Sequence, residues 1–158
     1  MTPDPRLDDP DPQVRLEAVS DLPLDLDRPA PDHPNVRALI RALDDPDAEV
    51  RDWATFGLGV QLDVDSPEIR EALFRMLGDT EADTAGEAAV GLARRKDPRV
   101  YERVLAELSR RPGNLWVEAA AELADQRLVP VLLRLKADGW DDGPDLLAEA
   151  IEACAGRN

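Results

Sequence analysis

Apolar residues recur along the chain with a spacing that favours α-helices. The pattern is clearest in residues 43–59, where Val50, Ala54 and Leu58 follow an acidic turn that contains Pro46. Residues four apart lie on the same side of an α-helix, so this spacing predicts a helix with a single apolar stripe. A proline disfavours the helical conformation of the residue before it, so another helix is expected to end ahead of Pro46. The stretch therefore predicts two helices joined by a tight turn.

The same apolar stripe occurs five times, at intervals of 31 to 36 residues. It begins at Val14, Val50, Thr84, Leu115 and Leu146. Four residues later every copy has an alanine: Ala18, Ala54, Ala88, Ala119 and Ala150. Eight residues after the start stand Leu22, Leu58, Leu92, Leu123 and Cys154. Repeats of this length are typical of stacked arrays of helix pairs.

A second set of apolar stripes lies between these helices. Three of its four members begin near a proline, at Pro34, Pro67 and Pro98, which the first turn of a helix tolerates because its N–H groups have no partner within the helix. Together the two sets predict helices at about 12–22, 34–43, 47–59, 66–77, 82–94, 97–109, 113–124, 126–137 and 143–155. No segment has the pattern of a strand, so the prediction is an all-α fold with no sheet.

Several short motifs resemble the HEAT-repeat family, in the short form found in phycobilisome lyases. They are Leu-Asp-Asp-Pro-Asp-Ala-Glu-Val-Arg at 43–51, Gly-Leu-Gly at 57–59 and Lys-Asp-Pro-Arg-Val at 96–100. The resemblance covers roughly residues 8 to 154 and implies a right-handed α-solenoid of about four and a half helical hairpins. Residues 1–11 are then a disordered or frayed acidic lead-in, and residues 12–158 form a single repeat domain. The family is a scaffold for many partners, so the resemblance implies architecture more than function.

The resemblance also implies ion pairs between each acidic turn and the arginine that follows it. The expected pairs are Asp8 or Asp9 with Arg15, and Asp44 or Asp45 with Arg51. The third, fourth and fifth copies have Ala85, Trp116 and Leu147 in place of the arginine. The pairing is therefore expected in the first two copies only.

The charge of the chain restricts its possible partners. It has 34 Asp and Glu against 19 Lys and Arg, for a formal net charge of −15. Nucleic-acid binding depends on Lys and Arg that neutralise phosphates, so neither nucleic acid nor an anionic membrane is expected as a partner. A strongly acidic protein favours a basic protein or peptide instead. The chain itself is expected to be a monomer.

Cellular location is predicted from three negative features of the sequence. The single cysteine excludes an intramolecular disulfide, which is consistent with a reducing compartment. The first residues lack the features of a signal peptide, and no apolar run is long enough to cross a membrane. We therefore expect a soluble, cytoplasmic protein.

Catalytic chemistry has little support in the sequence. One histidine and one cysteine do not make a nucleophile–base set, and His33 is expected at the surface or as a helix cap. Cys154 falls in the apolar stripe and is expected to be buried. There is no glycine-rich phosphate loop and no metal-ligand spacing. The sequence therefore predicts neither an enzyme nor a cofactor nor a bound metal.

A candidate binding face follows from the family resemblance, in which the helices with the Val-Arg motif line the concave side of the solenoid. The solvent-facing positions predicted to bind a partner are Glu17, Asp52, Trp53, Phe56, Glu87, Val90, Glu118 and Glu149. They describe an acidic groove with aromatic anchors, as in interface hot spots. In the alternative interpretation the charges form an ordinary solvated face, and Trp53 and Phe56 pack under the loop at 60–66.

The function that these features predict is that of a non-enzymatic scaffold that binds a basic protein on its acidic concave face. An inhibitor or immunity-type protein that occludes a basic enzyme is one concrete form of it. Two alternatives come from the resemblance: an accessory protein or enzyme of the bilin-lyase type, and a HEAT-like DNA glycosylase. The glutamates among the predicted contact positions (Glu17, Glu87, Glu118 and Glu149) disfavour the glycosylase, because such an enzyme needs a basic groove for DNA.

Overall fold

The computed structural model describes residues 4–25 and 29–156, and this part of the chain is entirely helical, with no strand. Its α-helices are α1 (Pro12–Ser20), α2 (Pro34–Ala42), α3 (Ala48–Phe56), α4 (Pro67–Met76), α5 (Ala82–Arg94), α6 (Tyr101–Leu108), α7 (Asn114–Leu123), α8 (Val129–Ala137) and α9 (Pro144–Cys154). Each lies where the apolar spacing predicted a helix. The all-α prediction without a sheet is therefore confirmed for the described residues.

Short segments of tighter or wider helix extend several of these elements. Pro98–Val100 and Gln126–Leu128 are 3₁₀ turns that lead directly into α6 and α8. Helix α3 continues as a π-helical turn, Gly57–Gln61, in which the N–H of Leu62 donates to the carbonyl oxygen of Gly57 over 3.0 Å. The predicted helix at 47–59 is thus one continuous element whose last turn is wider than an α-helix.

Side chains with an acceptor atom begin the helices from α1 to α4. Asp47 accepts from the N–H groups of Glu49 and Val50, and Asp11 accepts from Gln13 in the same way. At the start of α2 the acceptor is Nδ1 of His33, which takes a hydrogen bond from the N–H of Asn35 over 3.1 Å. These caps satisfy donors that have no partner within the helix. The predicted capping role of His33 is confirmed.

The chain divides into two compact units, residues 1–88 and residues 89–158, and α5 spans the boundary. In the first unit, α1 packs against α3, and α2 packs against both. In the second unit, α7 packs against α9 and α6 against α8, while α6 also contacts α7 and α8 contacts α9. Helices two apart in the chain therefore stack within each unit. The single repeat domain over 12–158 stays a prediction.

The predicted lead-in contains a short ordered element. Pro5–Asp8 is a 3₁₀ turn that packs on α1, and Asp4 caps it by accepting from the N–H of Arg6. The Arg6 guanidinium also pairs with Asp4 and with Asp21. The expectation of a frayed segment thus does not describe residues 4–11, because Arg6 ties the turn to the end of α1. Residues 1–3 lie outside the described part of the chain.

The alanine that recurs in every copy, four residues after the start of the apolar stripe, lies in the core. We call these five residues the alanine column. Its five members are at most 1% exposed. A methyl group at this position lets the backbones of neighbouring helices approach closely, which is why a small residue recurs in every copy. Cys154 is also fully buried, and its Sγ donates to the carbonyl oxygen of Ala120 over 3.2 Å. Burial raises the pKa of this thiol to about 11. The prediction of a buried cysteine is confirmed.

Candidate protein-binding face

Two arginines on odd-numbered helices each pair with a carboxylate in the acidic turn of the following repeat. In α1, Nε and Nη2 of Arg15 both lie 2.8 Å from the carboxylate of Asp45, while Nη1 donates to the carbonyl oxygen of Asp9 in the turn before the helix. In α3, Arg51 repeats the arrangement: Nε is 2.7 Å from Asp79 and Nη1 donates to the carbonyl oxygen of Asp45. Each guanidinium therefore joins two successive turns.

This pairing corrects the sequence-based expectation, which assigned each arginine to a carboxylate in its own turn. The turn before Arg51 offers its backbone carbonyls instead, because both carboxylate oxygens of Asp45 already accept from Arg15 and Oδ1 also accepts from the N–H of Asp47. The first Asp of each turn pairs with the next even-numbered helix: Asp8 with Arg41 at 3.2 Å and Asp44 with Arg75 at 3.6 Å.

The pairs shift the titration of the turn carboxylates. Hydrogen bonds from Arg51 hold the pKa of Asp79 below its ordinary value. Partial burial is the strongest single influence on Asp45 and would raise its pKa, but the hydrogen bonds from Arg15 and the N–H of Asp47, together with the charges of Arg15 and Arg51, lower the pKa overall. Both arginines are thus occupied at the turns, and neither adds a free positive charge to the solvent-facing sides of α1 and α3.

Trp53 is exposed, with 44% of its surface accessible to solvent. Its ring meets that of Phe56 edge to face, with the centroids 6.0 Å apart and the planes at 85°, and Phe56 is half-buried. Leu62 and Val64 of the loop at 60–66 are themselves buried, while Trp53 keeps its exposure. The question that the sequence left open is therefore answered for Trp53, which faces solvent.

Carboxylates flank the aromatic pair on the same side of α3. Glu49, Asp52, Trp53 and Phe56 follow one another at the i, i+3, i+4 and i+7 spacing of one helix face. Oδ1 of Asp52 accepts from the hydroxyl of Thr84 over 2.8 Å, which fixes its orientation. We call these four residues of α3 the acidic–aromatic stripe.

The stripe borders a notch of about 270 Å³ whose charged lining is entirely acidic. The charged residues of the lining are Glu49, Asp52, Glu81 and Asp83. Reasoning from the repeat columns missed Glu49, Glu81 and Asp83. The signal for Glu49 was available, because it lies four residues before Trp53 and so one helical turn away. Glu81 lies directly before α5 and Asp83 in its first turn, and only the packed structure brings them to the stripe.

The remaining predicted contact residues in the first unit differ in their access to solvent. Glu17 is exposed on α1, at the position equivalent to Trp53, whereas Glu87 is half-buried. In the second unit, Val90 is completely buried, so the prediction that it contacts a partner is wrong. Helix α5 consists largely of Ala, Gly and Thr, and residues 88–93 are all buried, because such small side chains allow close packing on every side.

In the second unit, Glu118 lies half-buried on α7 and Glu149 lies exposed on α9. Burial raises the pKa of Glu118, and repulsion from Glu122 adds to the rise, while Arg94 acts in the opposite direction. Trp116 and Trp140 are buried, and the indole N–H of Trp140 donates to the carbonyl oxygen of Pro112 over 2.9 Å. Trp53 is therefore the one exposed tryptophan of the chain.

The negative charge belongs almost entirely to the first unit. Residues 1–88 have 22 Asp and Glu against eight Lys and Arg, a formal charge of −14, whereas residues 89–158 have 12 against 11. The odd-numbered helices carry ten acidic and three basic residues, and the even-numbered helices carry four acidic and seven basic ones. Among the helices, negative charge is therefore concentrated on the odd-numbered set, which includes α3, whereas most of the negative charge of the first unit lies outside its helices.

Among the described residues, no group of three or more His, Cys, Asp and Glu is arranged to hold a metal ion. No described helix combines the length and apolar character needed to cross a membrane.

The class of protein follows from the helix pairs and from a match to known sequences. The sequence profile of HEAT repeats matches residues 36–124, more than half of the chain. The chain belongs to the HEAT-repeat family, and its fold is an α-solenoid.

Two curated relatives and one solved structure are similar to it. Protein YibA of Escherichia coli strain K12 and protein YibA of E. coli O157:H7 are each 39% identical to the chain over 69 residues. The match covers 43% of this chain and 25% of each relative. The X-ray structure of E. coli YibA superposes with a TM-score of 0.77 at 29% identity, over 96% of this chain and 52% of that one. The chain therefore spans about half the length of that solved structure.

Proposed function

We propose that this chain is a protein-binding module that takes a basic protein partner on the acidic–aromatic stripe of α3 and on the neighbouring face of α1. The observation that carries the proposal is the exposure of Trp53 within a frame of carboxylates. A large apolar ring that stays in solvent at 44% exposure has an unfavourable contact with water that a partner would relieve. In an inhibitor or immunity-type protein, that partner would be a basic enzyme whose surface is occluded.

The charges near the stripe support a basic partner specifically. Arg15 and Arg51 are held by Asp45 and Asp79, so the positive charges of α1 and α3 are already paired. Glu17, Glu49 and Asp52 have no ion pair within the described residues. A face of one sign attracts the opposite sign over roughly a Debye length, about 8 Å at physiological salt.

Further carboxylates contribute at longer range. Glu87, Glu118 and Glu149 add negative charge that accelerates the encounter with a basic protein, whereas buried aromatic contacts govern how long the complex lasts. We therefore assign affinity to Trp53 and Phe56 and assign steering to the glutamates.

The test begins with the full chain as bait in a native lysate and continues with the purified partner. Dissociation constants are compared for the wild type, for Trp53→Ala/Phe56→Ala and for the neutralised variant Glu49→Gln/Asp52→Asn. Leu133→Ala is the matched control, because Leu133 is 49% exposed on α8 and lies outside the proposed face. We expect a basic partner whose affinity falls by at least about tenfold in the aromatic double variant, since hot-spot truncations cost about 2 kcal/mol or more.

Two results would contradict the proposal. One is a partner with an acidic binding surface, which would be repelled by the stripe. The other is a partner that binds the aromatic double variant as tightly as the wild type and loses affinity on Leu133→Ala, which would move the interface to α8.

A further inference from the structure

Two clusters among the described residues of the second unit each bring together an aromatic ring, an arginine and a carboxylate. In the first, the guanidinium carbon of Arg127 lies 3.8 Å from the centroid of the Tyr101 ring, and Nη2 of Arg127 donates to Asp125 over 2.6 Å. In the second, the guanidinium carbon of Arg103 lies 5.5 Å from the centroid of the Trp116 ring. The carboxylate there is Glu107, whose Oε1 is 3.0 Å from Nε of Arg103.

Both arrangements combine the same two interactions. The face of an aromatic ring attracts a cation, and a guanidinium is flat enough to stack on the ring while its N–H groups still reach a carboxylate in the plane. Each aromatic residue thereby has its face covered, and each arginine has its charge paired. Tyr101 is half-buried and Trp116 is buried.

Trp53 has the ring and the carboxylates of this arrangement. Glu49 lies one helical turn before it, and Asp52 lies beside it on the same face of α3. The edge-to-face contact with Phe56 holds the indole at 85° to its neighbour. Within residues 4–25 and 29–156, no guanidinium or ammonium group stacks on the indole, and Arg51 is directed to Asp79 instead.

We propose that the group which binds at Trp53 is an arginine side chain of the partner, stacked on the indole and paired with the carboxylate of Glu49 or Asp52. This inference rests on the proposed function, since it names the chemistry of the partner at that site. The partner side chain that contacts Trp53 is then cationic and not apolar. An apolar side chain would gain only contact area at Trp53 and would itself offer no donor to the flanking carboxylates, whereas a guanidinium serves the ring and the carboxylates together.

Arginine is favoured over lysine by the same geometry. A lysine ammonium is compact and strongly hydrated, and it donates as a point charge without a plane that matches the ring. The two internal examples at Tyr101 and Trp116 both use arginine.

Three synthetic dodecapeptides test the proposal. Serine alternates with arginine in the first, with lysine in the second, and with citrulline, the neutral isostere of arginine, in the third. Binding to the full chain is measured by calorimetry at about 0.05 M salt, where surface electrostatics are weakly screened. We expect the arginine peptide to bind at least about threefold more tightly than the lysine peptide and the citrulline peptide to bind at least about tenfold more weakly.

Substitutions at Trp53 separate a cationic anchor from an apolar one. Trp53→Leu keeps an apolar side chain and a good helix former but removes the aromatic face, so affinity for the arginine peptide should fall about five- to tenfold. Trp53→Phe keeps a weaker aromatic face and should lie between Trp53→Leu and the wild type. Leu133→Ala should bind as the wild type does. Circular dichroism checks that each variant keeps its helix content. We expect the content to be unchanged, because Trp53 and Leu133 are both exposed.

The outcomes distinguish this inference from the function on which it rests. If the wild type binds the arginine and lysine peptides and Trp53→Leu binds both equally well, the stacked arginine is excluded while a basic partner is retained. If the arginine and citrulline peptides bind alike, charge recognition at this face is excluded. If the wild type binds neither cationic peptide, and neutralising Glu49 and Asp52 leaves binding of the natural partner unchanged, the proposed function fails as well.

Discussion

The guanidinium of Arg51 holds the carboxylate of Asp79, which lies 28 residues further along the chain, with 2.7 Å between Nε and Oδ2 and 3.2 Å between Nη2 and Oδ1. The same guanidinium donates through Nη1 to the carbonyl oxygens of Asp45 and Pro46 at the start of its own helix. One side chain therefore links two successive turns of the array. Only 5% of the Asp79 side chain and 18% of the Arg51 side chain are exposed, so the pair is shielded from solvent.

Breaking this pair should destabilise the first unit. We expect a coupling free energy of about 1–2 kcal/mol from a double-mutant cycle with Arg51→Ala and Asp79→Ala, because a shielded bidentate pair exceeds the usual surface value of about 0.5 kcal/mol. The free energy of unfolding is measured by urea titration. The exposed pair of Arg75 and Asp44, 3.6 Å apart, is the control and should give a smaller coupling. Equal couplings for the two pairs would contradict a structural role for the shielded one.

Acid should weaken the fold through the turn carboxylates. The pKa of Asp79 is lowered in the folded chain, as is that of Asp45, so each contributes stability that is present above the unfolded pKa of about 3.9. That contribution is lost as the pH falls through the lower folded-state pKa. We expect the midpoint of urea unfolding to drop between about pH 5 and pH 2. Asp79→Asn should be less stable than the wild type at pH 7 and should show a smaller drop. If Asp79→Asn loses stability in parallel with the wild type over this pH range, groups other than Asp79 cause the acid sensitivity.

A charge placed in the alanine column should unfold the array. Ala54 is completely buried in α3, so Ala54→Asp forces a carboxylate into closely packed helices and should cost more than about 3 kcal/mol. Ala106→Asp is the matched control, because Ala106 is exposed on α6, and it should cost only about 0.7 kcal/mol, the difference in helix propensity between Ala and Asp. Thermal melting followed by circular dichroism compares the two. Similar melting temperatures would show that the assignment of buried and exposed faces is wrong.

Salt should slow the binding of the partner more than it speeds dissociation. Raising the salt concentration from about 0.05 to 0.5 M shortens the Debye length from about 14 to about 4 Å, which removes most long-range steering. Stopped-flow or surface-binding kinetics with the purified partner should then show an association rate that falls at least about tenfold. Reversal of Glu17 and Glu149, both exposed, to lysine should reproduce part of that fall at low salt. If the dissociation rate alone changes with salt, the glutamates do not steer the encounter.

Cys154 should react only when the chain opens. Its side chain is fully buried and its thiol pKa is raised to about 11, so very little thiolate is present or accessible at pH 8. We expect a disulfide reagent to label the native protein at least about 100-fold more slowly than the urea-unfolded protein, with a rate set by local opening. Cys154→Ser should leave binding at the acidic–aromatic stripe unchanged. Rapid labelling of a chain with its native melting temperature would place this thiol at the surface.

The positions of the helices were readable from the sequence because they depend on local spacing. A helix with one buried face repeats its apolar residues every three or four positions, whatever packs against it, so the order from α1 to α9 followed from the stripes. The alanine column was readable for a related reason. A close approach between helices admits only a small side chain, and each copy of the repeat had to meet that condition separately.

Contacts between repeats were decided by the tertiary structure alone. The sequence offered Arg15 two nearby carboxylates in its own turn, and the fold gave it Asp45, 30 residues away. Val90 was among the positions predicted to face solvent. It is buried, because the small residues around it let neighbouring helices pack closely on α5. Trp53 could equally have packed under a loop. The sequence by itself determined which residues share a helix face, because that depends on covalent neighbours. Which faces meet, and which stay in water, depended on segments some thirty residues apart and required the folded chain.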